Sequence, residues 1–402
     1  MHDRKLDIVL YGATGFTGGL VADYLAQTSE HTPLRWALAG RSIEKLNAVR
    51  DRLGLPAGSS RVPEIIVAEA ADTESLERMV KETRVVITTV GPYIKYGEPL
   101  VRACAEHGTD YVDLTGEPEF MAQMIEKYDT VASSSRARIV HACGFDSIPH
   151  DLGAYFTLKT LHQKLTPEEK KQAAVRIDGF VRANGSISGG TWHSALEIMS
   201  RAREHANESK RRRSSKPPSD RKAKQVFSRP AFRKELGFWA VPMPTIDPEI
   251  VVRSAELLPE YGPDFRYGHY FGVKRGYQVA GLIAGFSMLF GLAQVKPAKA
   301  LLQKVRDPGE GPDESTRKKS YFRVIFQGKA ADQHVECEVR GGDPGYGETA
   351  KMLAEAALCL AFDRERLPNH FGVITTAAAM GEPLIERLQS AGISFREIQA
   401  TA

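Results

Sequence analysis

The chain has 402 residues, room for two or three domains of about 150 residues each. Hydrophobic residues make up 42% and charged residues 26%, a composition that excludes a mainly disordered or fibrous chain. The 54 Lys and Arg against 50 Asp and Glu leave a net charge of +4, too little for a wholly basic nucleic-acid binder. The four cysteines, Cys104, Cys143, Cys337 and Cys359, are too far apart for metal-ligand spacing. Neither a zinc site nor a disulfide framework is expected, and a reducing compartment fits. The N-terminus runs into a strand pattern without an apolar region, so no secretory signal is expected.

In chain order, Leu6–Tyr11 is short and rich in β-formers, the pattern of a buried parallel strand. Gly12, Ala13, Thr14, Gly15, Phe16, Thr17 and Gly18 follow, and then apolar positions at helical spacing. Strand, glycine turn and helix in that order form a G-x-x-G-x-x-G variant of the dinucleotide fingerprint. A turn without side chains lets a pyrophosphate approach the N–H groups that open the helix. The second strand, 35–40, leads into Arg41 and Ser42 where an NAD enzyme usually carries an acid for the ribose 2′-hydroxyl. A cation and a hydroxyl there point to a 2′-phosphate, so NADP is the expected cofactor, with NAD as the alternative.

The βα alternation continues. Strands are expected at 64–68, 84–90, 111–114 and 139–142, and helices at 74–81, capped by Asp72 and Thr73, and at 100–107. The fourth strand ends in Gly91, Pro92 and Tyr93, on the loop that normally passes the nicotinamide end of the cofactor. Gly91 allows close backbone approach and Pro92 fixes the turn. Tyr93, Asp146 and His150 are the catalytic candidates near that end. No metal cluster and no Ser-His-Asp or Cys-His set is evident, and hydride transfer needs none, since the cofactor carries the chemistry. Tyr155 and Lys159 match the Tyr-x-x-x-Lys pair of short-chain dehydrogenases, but core packing of Tyr155 is the better reading.

A sheet domain is expected from 174 onward, with further strands at 321–326 and 334–339. A glycine-serine turn at 186–191 opens a helix that suits either a substrate or a plain cap. Between 201 and 235 there are thirteen Lys and Arg against four Asp and Glu, which leaves the rest of the chain mildly acidic. An exposed basic insert, 203–234, is expected, either a solvated loop without a partner or one that meets anionic lipid, its best partner. Gly276–Val295 is twenty residues without a charge, flanked by Lys274, Arg275 and Lys296. At about 1.5 Å per residue it is long enough to span a bilayer. A single crossing would put strands of one expected sheet on opposite sides, so spanning is not expected. The remaining readings are a buried core helix, an element in the membrane surface, or an acyl-tunnel wall, with the lipid-facing ones favoured.

The glycine turn, together with Thr88–Tyr93, Tyr111–Glu117, Gly144–Pro149, Ser188–Thr191 and Gly341–Tyr346, resembles the saccharopine dehydrogenase-like oxidoreductase family. The resemblance is to its actinobacterial branch of trans-acting enoyl reductases, and it covers nearly the whole chain. It implies an α/β fold, with an N-terminal Rossmann dinucleotide-binding domain at 1–150. A mixed α/β (α+β) second domain with a long insert is expected at 151–345. A helical tail, 346–402, would pack back on the Rossmann domain. The implied activity is that of a nicotinamide-dependent reductase linked to long-chain lipid intermediates. With the NADP reading of Arg41 and the lipid reading of the insert and apolar segment, the expectation is NADP-dependent reduction of a lipid or acyl double bond by a cytoplasmic protein peripherally associated with an anionic membrane. No nucleic acid is expected, and homodimerisation is left open. The rival readings are a non-catalytic nucleotide-binding lipid-surface protein and a saccharopine-type amino-acid dehydrogenase. The last would need a cluster of cations for an amino-diacid, which the sequence does not display.

Overall fold

Leu6–Tyr11 is buried at all six positions, as befits a strand covered on both faces of a parallel sheet. A computed structural model describes residues 4–184, 192, 196, 199–200, 221–243, 245–305 and 314–398. The first six strands are β1 (Leu6–Tyr11), β2 (Trp36–Gly40), β3 (Glu64–Val67), β4 (Thr83–Thr88), β5 (Asp110–Asp113) and β6 (Arg138–Val140). They are followed by β7 (Val175–Asn184), β8 (Lys222–Val226), β9 (Ala231–Arg233), β10 (Phe238–Pro242), β11 (Asp264–Val273), β12 (Tyr321–Ala330) and β13 (Gln333–Gly341). Two short strands, β14 (Gly372–Ile374) and β15 (Ser394–Ile398), end the described chain.

The strands divide between two units, Met1–Ile148 with Asp313–Lys319 and Gly342–Ile393, and Pro149–Pro312 with Ser320–Gly341 and Ser394–Ala402. The first unit carries a parallel sheet of order β14-β6-β5-β4-β1-β2-β3. Its order reverses between β1 and β4, and ligands of such sheets bind beyond the C-terminal strand ends at that point. Local chemistry sets the helix ends, with Asp72 capping as expected and Thr73 already the first helical residue. Asp72 accepts from the N–H groups of Glu74 and Ser75 to start Thr73–Lys81, and Gly108, at φ 66°, ends Glu98–His107.

The second unit is built on a mixed sheet of order β15-β13-β12-β7-β11-β10-β9. β8 runs beside the first half of β11 and β10 beside its second half, so two short strands share one edge. The helix Ile148–Lys164 lies close on this sheet. A Cβ on Gly153 would come within 2.3 Å of the Phe326 ring, and one on Gly328 within 2.6 Å of Thr157. Each glycine receives the other element's side chain, the interdigitation that native packing density demands.

Two expectations are refined here. The tail after 346 supplies the helices Gly347–Phe362 and Glu382–Ser390 to the first unit, but its end is a strand of the second sheet. In this strand Phe395 is buried and Arg396 lies opposite Glu338, whose carboxylate takes two Arg396 hydrogen bonds at 3.0 and 2.7 Å. The apolar segment is a helix, Gly276–Ala293, and it is not a core helix. Only Val279 and Ala293 are buried, while Tyr277 and Met288 are each 67% exposed. The helix is rooted by Val279 against Val241 and Val273 at the end of β11. The strands before and after it, β11 and β12, both pair with β7, which is the arrangement a single membrane crossing would forbid. The turn at 186–191 and most of the basic insert, 203–220, lie outside the described residues.

Candidate functional site

In the first unit the site begins where β1 ends. Gly12 has φ 94°, and a Cβ there would meet Thr89 Oγ1 at 2.7 Å and Val90 at 2.8 Å. A Cβ on Gly18 would sit 2.2 Å from the Gly12 carbonyl oxygen. These two glycines are therefore required by the turn itself. The turn is tied to both neighbouring strands, with the Gly12 N–H donating to Ala39 O (2.9 Å) and the Thr89 hydroxyl to Gly12 O (3.1 Å).

Gly15 differs from them. It is exposed, its Cβ position has no atom nearer than 3.5 Å, and it caps the helix Phe16–Thr28 without a side-chain hydrogen bond. That helix carries no acid in its first turn. Ala13 is buried, Thr14 is exposed, and Phe16 packs edge-on against Tyr346 at 4.9 Å. Open N–H groups at a helix start, with the positive end of the dipole and no competing acid, fit a pyrophosphate.

After β2, Arg41 is exposed and makes no ion pair among the described residues. Ser42 is committed locally. Its hydroxyl donates to Glu44 (2.8 Å) and accepts from the Lys45 N–H (3.3 Å), capping Ile43–Arg52. The 2′-phosphate contact expected of this pair thus rests on Arg41.

Of the loop after β4, Gly91 and Pro92 are exposed, as an approach surface requires, and the bond between them is cis. Tyr93 is buried instead of lining a cleft. Its hydroxyl donates to Thr88 O (3.2 Å) and accepts from the Leu114 N–H (3.1 Å), and burial pushes the phenol well above its ordinary range. Tyr93 is a strut between two loops. Asp146 is exposed, and its carboxylate lies 3.8 Å from the Cβ position of Gly116. His150 belongs to the second unit, where it is buried beside Asp247 and His269. Burial lowers His150 to about 3 and His269 to about 4. Tyr155 is buried with Lys159 over its ring, the packing role expected of it.

The residues that organise the first unit's loops escaped the sequence reading. Asp113, fully buried at the end of β5, accepts from the Tyr111 hydroxyl (2.9 Å), His141 Nδ1 (2.7 Å) and the N–H groups of Thr115 (3.0 Å) and Ala142 (2.8 Å). Glu117 clamps the start of the Tyr93 turn through the N–H groups of Tyr93 (3.0 Å) and Ile94 (2.9 Å). Thr349 donates to Pro344 O (2.7 Å) and accepts from the Phe145 N–H (3.2 Å). The stretches 88–93, 111–117, 144–147 and 344–349 are thus one hydrogen-bonded knot at the C-terminal edge of the sheet. Asp146 and the exposed Gly91 and Pro92 are carried on it.

Residues 8–140 match the saccharopine dehydrogenase NADP-binding domain family. A Mycobacterium tuberculosis protein provisionally named a trans-acting enoyl reductase is 38% identical, over 98% of this chain and 97% of that protein. The trans-acting enoyl reductase of Mycobacterium ulcerans is 36% identical, over 97% of each. Among solved structures the chain is similar to the apo form of the L-glutamate-forming saccharopine dehydrogenase of Saccharomyces cerevisiae. The TM-score is 0.55 with 12% identity, over 98% of this chain and 100% of that one, a likeness of fold alone.

Proposed function

We propose a reaction for a chain that belongs to the saccharopine dehydrogenase-like oxidoreductases, in their trans-acting enoyl reductase branch: reduction of an enoyl-type double bond in a long-chain lipid or polyketide-derived intermediate, with NADPH, at a membrane surface. NADP binding and the oxidoreductase class come with the family. NADPH, when bound, supplies the hydride.

The chain's own residues do the rest. The N–H groups opening Phe16–Thr28 hold the pyrophosphate, and Arg41 pairs with the 2′-phosphate. Tyr93, Glu117 and Asp113 hold the loops, and Gly91 and Pro92 leave an open backbone wall. Asp146 keeps its carboxylate at the surface of that knot, and we assign it the relay of a proton from solvent to the α-carbon, the alkene carbon that the hydride does not reach.

The observation that carries the lipid part is the helix Gly276–Ala293, apolar all round and exposed along almost its whole length. An exposed apolar element of this size marks an interaction surface. Lys274 and Arg275 precede it and Lys299 and Lys304 follow, the two-signal combination of cations and apolar burial that favours anionic lipid. The protein then docks peripherally from the cytoplasm, near an acyl substrate that water would not dissolve.

The test combines cofactor and membrane. NADPH oxidation is followed with an enoyl thioester or extracted lipid as acceptor, with and without anionic vesicles. Turnover with NADPH, raised by vesicles, is expected. Arg41→Asp should weaken NADPH by about 1.5–3 kcal/mol and spare NADH. Tight NADPH binding with no acceptor ever reduced would favour the non-catalytic nucleotide-binding reading. Failure to float with anionic vesicles at low salt would remove the membrane from the proposal.

A further inference from the structure

In the second unit three buried side chains from distant parts of the sequence converge. His150 lies in the first turn of Ile148–Lys164, Asp247 opens the helix Asp247–Leu257, and His269 is on β11. One ligand atom from each lies within 4.8 Å of the others.

The three groups converge without making hydrogen bonds to one another. His150 Nε2 is 3.2 Å from Asp247 Oδ1, yet that oxygen makes no hydrogen bond. His269 Nε2 is 3.6 Å from Asp247 Oδ2, beyond hydrogen-bond reach. Bonds of about 2.0–2.2 Å from one metal at a tetrahedral angle place donor atoms about 3.3–3.6 Å apart, close to both distances. The carboxylate also turns one oxygen to each imidazole, so it can bind through both.

The surroundings support the same reading: all three side chains are buried, and the Asp247 carboxylate faces one imidazole from each of its oxygens. His269 has an outer partner too, the Tyr267 hydroxyl 3.3 Å from its Nδ1, as ring nitrogens opposite a bound metal commonly do.

We propose that His150, Asp247 and His269 bind one divalent first-row transition ion, of the zinc class, as a site that staples two helices to β11 of the second sheet. Two imidazoles and a carboxylate suit that class better than magnesium or calcium, which prefer oxygen alone. The site is independent of the cofactor-binding turn and of the membrane-facing helix, and stands or falls apart from the reaction proposed for them.

The experiment uses the tag-free full chain, stripped with a chelator, reloaded with Zn²⁺ or Co²⁺ and dialysed. About one equivalent of metal per chain should remain, and Zn²⁺ should raise the melting temperature. Bound Co²⁺ should show d–d absorption without a thiolate charge-transfer band, which separates this site from the four buried cysteines. Asp247→Asn and His269→Gln should each lower retained metal at least about tenfold, the range by which losing a contact at a metal site shows. Should either variant fail to fold, the wild-type cobalt spectrum still decides. A stripped wild type that retains no metal, a spectrum of thiolate type, or equal retention by a folded variant overturns the proposal.

Discussion

Two buried aspartates, each beside histidine, behave as opposites. Asp113, in the first unit, has both oxygens filled by four donors, two of them backbone N–H groups. Asp247, in the second, has an oxygen with no hydrogen bond and histidines at 3.2 and 3.6 Å. A buried carboxylate with every lone pair engaged is a structural fixture, since removing it strands its donors. One left open among nitrogen donors is suited to a ligand. The same pair of residue types therefore does different work, and the satisfaction of the carboxylate tells which.

The contrast can be broken at several points. The largest effect is expected from Asp113→Ala, which leaves four donors unpaired in a fully buried place and should destabilise the protein by about 3–5 kcal/mol. Equilibrium denaturation measures it, and a loss under about 1 kcal/mol would mean the knot relaxes around the gap. Tyr111→Phe removes one of the four donors, so about 1.5–3 kcal/mol is expected from the same titration, the range for a hydrogen bond to a charged group. In chelator-treated protein Asp247→Asn should change stability by no more than about 1 kcal/mol, because the oxygen without a hydrogen bond has no partner to lose when the carboxylate becomes an amide. A loss as large as that of Asp113→Ala would erase the distinction between the two sites. The smallest effect on stability belongs to Ile283→Asp on the exposed helix, within about 0.5 kcal/mol. The same substitution should reduce vesicle flotation sharply, and unchanged flotation would show that this face does not meet lipid.

The Rossmann unit was largely legible in the sequence because its signals are local. A strand, a turn and a helix stand within 23 residues, and the glycines there are fixed by backbone contacts a few residues apart. The knot was not legible. His141 reaches Asp113 across 28 residues, and a pattern of apolar positions says nothing about which way a loop residue turns. Tyr93, a catalytic candidate by its place in the sequence, is a strut in the structure. The metal-type cluster joins His150 to a residue 119 positions away, far outside any spacing motif, so a search limited to short spacings expected no metal. The helix at Gly276–Ala293 was readable as apolar, but a segment apolar on every side has no periodicity to show which face is covered.

That helix also belongs to a detour whose two ends are neighbours. β11 finishes, and β12 starts, at the same end of β7, one on each side of it. The gap is two strand spacings, about 10 Å. Register in the second sheet is set by β7 on both sides, so the path taken between Val273 and Tyr321 leaves it untouched. The path is held at points of its own instead: Gln294 donates to Met199 O (2.7 Å), the Trp192 indole N–H donates to Leu302 O (2.8 Å), and Asp313–Lys319 belongs to the first unit. The excursion is in this sense an attachment, whose place is set by its own anchors while the strand pairing beneath it is set by β7.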